Sequence, residues 1–171
     1  MKKLSNFKFR NFLVLVVFLS ISAGIFAQTN FSGNWTVNQS KSTFGEASGG
    51  PGSPMGGGIM VVTQDSKVLT VIQTMQGPDG EMKMVNKYNL DGTPSENTFM
   101  MEMKRKSTLT WSADKKSITI VSTMDFNGNE MKEAETWKLS ADGRTLFIDS
   151  TRPAGPDGGG DMKMTLAYDK K

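Results

Sequence analysis

The chain has 171 residues, no cysteine and no histidine, and its 20 basic and 17 acidic side chains leave a formal charge of +3. The missing residue types exclude a disulfide framework, thiolate chemistry and any Ser-His-Asp or Cys-His catalytic set within the chain, and leave zinc only carboxylates. The basic excess belongs to the first 27 residues, where Lys2, Lys3, Lys8 and Arg10 stand without an acid; the rest carries 16 basic and 17 acidic groups, which removes the electrostatic support for nucleic-acid binding.

Residues 1–27 run from that basic start through the apolar stretch Phe12 to Ile21 to small residues and Phe26-Ala27-Gln28. That order predicts a secretory signal peptide cut after Ala27. The apolar run is shorter than the roughly 20 residues a spanning helix needs. The expected mature chain, 28–171, is then one domain exported to the periplasm or beyond, with no integral membrane segment.

A first strand is expected over 33–38, followed by a glycine-rich stretch, 39–58, that includes Pro51 and Pro54 and reads as one long loop. Further strands are expected near 59–65, 67–76, 81–91, 95–101, 103–112, 116–125, 130–140, 144–152 and 161–169. Apolar residues alternate with period two through these segments, and Asp-Gly or Asn-Gly steps begin at 79, 91, 127, 142 and 157. Three hairpins share one layout: LTVIQTM before EMKMVNKYNL, ITIVSTM before EMKEAETWKL, and LFIDSTR before DMKMTLAY. Short hairpins join neighbours antiparallel, so the fold class is all-β: an up-and-down meander of eight to ten strands closed into a barrel, which avoids exposed edges.

The lysines orient the sheet. Lys83, Lys87, Lys132, Lys138 and Lys163 share one face of the second strand in each hairpin, and an unpaired ammonium is expensive to bury. The opposite face holds Met82, Met84, Asn86 and Tyr88, then Met131, Glu133, Glu135 and Trp137, then Met162, Met164, Leu166 and Tyr168; the strand 103–112 adds Arg105, Ser107 and Trp111. Polar residues on the inner face, including Gln73, Ser122 and Ser150, suit a wet cavity holding one small ligand. The competing reading is a solid barrel in which these groups emerge above the packed layer, or a bulge that reverses the facing.

Glu133 and Glu135 lie roughly 6 to 7 Å apart along one strand face, a spacing compatible with glycoside chemistry, but no long cleft is evident for a sugar chain. An ion pair with Arg105, or a polar ligand head held by it, accounts for the same residues. The Met-x-Met pairs 82/84, 101/103 and 162/164 offer soft thioethers for Cu(I). Without Cys or His to complete such a site, packing or cavity lining is the reading adopted. Acid spacing fits no EF-hand, and 155–160 lacks the ending of a phosphate loop.

At Phe31-Ser32-Gly33-Asn34-Trp35 the chain resembles the opening of a lipocalin. With Lys41-Ser42-Thr43-Phe44-Gly45 and the run from Glu135 to Leu146, it is similar to a group of small exported bacterial proteins described as lipocalin-like. The resemblance implies that Gly33 and Trp35 close one end of the barrel, that 39–58 forms a lid, and that a late arginine, here Arg152, packs across Trp35. It also implies a small hydrophobic or amphiphilic ligand, without cofactor, bound metal or chemical turnover. The expected site has Arg105, Glu133 and Glu135 at the polar head and Met82, Met84, Met131, Tyr88, Trp111 and Trp137 around the apolar part. The alternatives are a structural or interaction module with no internal ligand and a methionine-based soft-metal binder.

Overall fold

The computed structural model describes residues 27–44, 58–77, 80–98, 103–126, 128–152 and 161–171. The predicted signal peptide, apart from Ala27, and residues 45–57 of the predicted lid lie outside the described residues. Ten strands form the architecture: β1 (Gly33–Val37), β2 (Ile59–Gln64), β3 (Val68–Gly77), β4 (Gly80–Asn89), β5 (Ser95–Thr98), β6 (Lys104–Trp111), β7 (Ser117–Phe126), β8 (Asn129–Leu139), β9 (Thr145–Arg152) and β10 (Met162–Lys170). All pair antiparallel in the order β4-β3-β2-β1-β10-β9-β8-β7-β6-β5, a meander that β1 and β10 wrap into a nearly closed barrel.

Alternation explains the wall. On β6, Arg105, Ser107 and Leu109 are buried while Lys104, Lys106 and Thr110 are exposed. Lys83, Lys87, Lys132, Lys138 and Lys163 all point outward, as their charge requires. Tight turns join the strands at one end, and each carries an aspartate whose Oδ1 accepts a backbone N–H: Asp65 from Lys67, Asp91 from Thr93, Asp114 from Lys116 and Asp142 from Arg144. Gly92 follows Asp91 at φ 85°, a left-handed conformation in which a Cβ is strained.

The segment preceding β1 seals that same end. Thr29 donates its amide to Lys115 O in the β6–β7 turn at 3.0 Å, and Gln64 bridges Phe31 N and Thr29 O. Phe31 and Trp35 are fully buried, and the Trp35 indole donates to Phe31 O at 3.0 Å. Phe31 also stacks against Trp111 and Trp137, at centroid distances of 6.1 and 6.2 Å. With Leu69, Leu109, Ile118 and Leu146 these rings form the apolar core. Trp35 therefore plugs the closed end. The cation over its ring is Lys170, 5.3 Å from the centroid, and not Arg152, which ends β9 at the opposite end of the barrel. Gly33 leaves room for that lysine, because a Cβ there would stand 2.8 Å from Lys170 Cε.

Closure is incomplete between β4 and β5, which share no backbone ladder. A side chain takes the ladder's place: Asn97 Oδ1 accepts from Lys87 N at 2.7 Å, and its Nδ2 donates to Lys87 O at 3.0 Å. Inside the same seam, Arg105 Nη2 on β6 donates to Asn86 Oδ1 at 2.9 Å and to Tyr88 OH at 3.2 Å on β4. Replacing Asn97 with alanine leaves both Lys87 backbone groups without these partners, at a cost of about 1–3 kcal/mol. We expect a lower urea midpoint and selective loss of hydrogen-exchange protection at the Lys87 amide; unchanged protection there would contradict the bridge.

Candidate functional site

The interior changes character with height. Above the aromatic plug, paired positions on β8, β9 and β10 stack in rows: Trp137 opposite Ile148 opposite Leu166, then Glu135 opposite Ser150 opposite Met164. Arg152 follows in the next row beside Glu133, with Arg152 Nη2 3.3 Å from Glu133 Oε1. Across the lumen, β3 and β4 present Val71 and Asn86, then Gln73 and Met84, then Met75 and Met82. An apolar floor thus passes into a polar belt, with methionines toward the hairpin end.

A cavity of about 110 Å³ occupies this space. Six of the expected ligand-binding residues line it: Arg105, Glu133, Glu135, Trp137, Tyr88 and Met84. Three do not. Trp111 packs against Phe31 at the closed end, because its position at the end of β6 puts it level with Ile118, below the belt. Met82 stands on the rim and is 40% exposed, and Met131 sits opposite Met124 near the β7–β8 turn, outside the cavity lining.

The lining also includes Met60, which β2 carries opposite Gln73, and Arg152, whose partner is Glu133. Arg105 donates to two neutral groups, Asn86 and Tyr88, and its charge also acts on Glu135, while Glu133 forms an ion pair with Arg152. Arg152 was expected across Trp35 from the resemblance, and its neighbour Glu133 follows from the packing of β8 against β9. Met60 had no comparable signal, since the apolar run Ile59 to Val62 does not alternate.

Electrostatics in the belt are tightly set. Desolvation pushes the Glu135 carboxyl above the ordinary carboxylate value and the Glu133 charge adds to that, while the Trp137 indole, donating at 3.1 Å, opposes it together with Arg105 and Arg152. Burial likewise raises the Tyr88 and Tyr168 hydroxyls, so both stay protonated. The belt therefore offers phenolic O–H donors, guanidinium donors and carboxylate acceptors in one small volume. Among the described residues no group of three or more His, Cys, Asp or Glu side chains is arranged to hold a metal ion.

Comparison with known proteins adds no relative: no family model, no curated protein and no solved structure matches the chain.

A raised folded-state value means that ionising Glu135 costs stability, a penalty absent well below its ordinary pKa and growing as pH rises through the folded value. Glu135→Gln keeps an acceptor for Trp137 and removes the charge. We expect the variant to be more stable than the parent near pH 7 by about 1–3 kcal/mol, with the difference closing near pH 4, in urea titrations at both pH values. A variant less stable at neutral pH would show that the ionised carboxylate is instead held by its donors.

Proposed function

We propose that the protein is an exported, lipocalin-like binding protein that holds a small hydrophobic or amphiphilic molecule in its lumen, without chemical turnover. The supporting observation is the cavity itself, in which Trp137, Ile148 and Leu166 form an apolar floor directly beneath Glu135, Glu133, Arg152 and Arg105. A dry core has no use for four ionisable groups at this depth, whereas a ligand with one apolar end and one hydrogen-bonding end matches both layers. Export rests on the pattern of residues 1–27, and the family reading on the Gly33-Asn34-Trp35 opening.

Volume limits the ligand. An enclosed space of about 150 Å³ accommodates a benzene ring, so a cavity near 110 Å³ takes a molecule of that scale or one end of a longer amphiphile whose remainder leaves through the mouth. The apolar end points to Trp137, and the head meets Glu135 and Arg105.

Medium-chain alcohols, amines and carboxylates, titrated while Trp fluorescence is followed, test the reading. We expect saturable one-to-one binding by at least one class, weakened about tenfold or more by the lumen-filling change Ser150→Phe and not by an outward change such as Thr110→Ala. Circular dichroism on each variant separates loss of binding from loss of fold. Absence of saturable binding, or equal binding by the filled variant, overturns the proposal.

A further inference from the structure

Thioether side chains converge at the rim of the barrel in a way the linear sequence conceals. Met75 and the Met82/Met84 pair are separated by the β3–β4 turn, but the hairpin register sets Met75 directly opposite Met82, and Met84 follows two residues along the same face. Opposed residues on neighbouring strands have Cβ atoms about 5 Å apart, and i, i+2 neighbours stand about 6.5 Å apart. Each methionine carries its sulfur at the end of a flexible chain, so the three sulfurs can reach one common point.

Exposure grades across the triangle. Met75 is 6% exposed, Met84 is half-buried and Met82 is 40% exposed. One of the three side chains is therefore buried while another is open to arriving solute. Met82 thus leaves part of its side chain accessible beside the shielded Met75. The charged neighbours Glu81 and Lys83 lie on the outer face and bond each other at 3.3 Å, which leaves the inner face to the sulfurs.

The β7–β8 hairpin supplies an internal comparison. Met124 again stands opposite Met131, but Glu133 occupies the place that Met84 holds in the first hairpin, so only two thioethers meet there. Neutral sulfur donors without any imidazole or thiolate select soft monovalent ions and discriminate against calcium, magnesium and zinc.

We propose that Met75, Met82 and Met84 form a three-thioether site for a soft monovalent cation, copper(I) or silver(I), at the open rim of the barrel. The site borders the lumen, since Met75 and Met84 also line the cavity, but Trp137 and Glu135 lie deeper and are not among its donors. A thioether has no proton to release, so affinity is flat across the range from about pH 5 to about pH 8, unlike that of a carboxylate or imidazole site.

The test is titration of the protein with silver(I), and with copper(I) kept reduced by ascorbate in competition with a chromophoric chelator. X-ray absorption then reports the donor atoms. We expect one equivalent bound with an all-sulfur first shell. The Met75→Leu/Met82→Leu/Met84→Leu variant, which preserves apolar volume, should bind about tenfold or more weakly, whereas Met124→Leu/Met131→Leu should bind as the parent does. No binding by the parent, oxygen or nitrogen in the first shell, equal affinity in the triple variant, or loss in the Met124/Met131 variant each overturns the site.

Discussion

An ammonium group cannot enter a low-dielectric interior without a partner, and that penalty orients β4, β6, β8 and β10, to which the other strands are paired. Lys83, Lys132 and Lys163 each follow an inward methionine and precede an inward residue, so fixing the lysine in water fixes its neighbours in the lumen. A slip of one residue would bury the whole lysine row and expose Tyr88, Trp137 and Tyr168 together. The charges that do face inward obey the same rule by another route: Glu133 meets Arg152, and Arg105 spreads its donors over Asn86 and Tyr88. Hydrogen bonding, rather than exclusion, is what makes a charged belt tolerable at that depth.

The two ends of the barrel are built from different chemistry. At one end, short turns fastened by aspartate side chains and an N-terminal segment tied to Lys115 and Gln64 surround a tightly packed aromatic cluster. At the other, longer hairpins carry polar and thioether side chains. The cavity lies between the two regimes, and its floor is the upper surface of the aromatic plug. Trp137 belongs to both, packing on Phe31 below and donating to Glu135 above, which couples the depth of the lumen to the state of the carboxylate.

All ten strands were legible in the residues because period-two alternation and Asp-Gly turns are local signals. Facing was legible in the lysine-bearing second strand of each hairpin, and the partner strands followed by matching positions. Height along the barrel was not. Alternation says that Trp111, Met82 and Met131 point inward but is silent on whether they reach the floor, the belt or the rim, which depends on how neighbouring strands are staggered. Stagger also brings Arg152 of β9 beside Glu133 of β8, and it sets Lys170 of β10 over Trp35, where the lipocalin resemblance implied Arg152.

The seam between β4 and β5 gives the wall a mechanical property that a fully laddered cylinder lacks. Elsewhere neighbouring strands are joined by backbone ladders, the shortest being the three-residue pairing of β1 with β10. Along this line, among the described residues, the Asn97 amide bridges Lys87 and the Arg105 guanidinium reaches Asn86 and Tyr88. The barrel is therefore a hoop with a clasp: parting its two edge strands breaks no strand-to-strand ladder, and the line of parting runs beside the belt of polar groups.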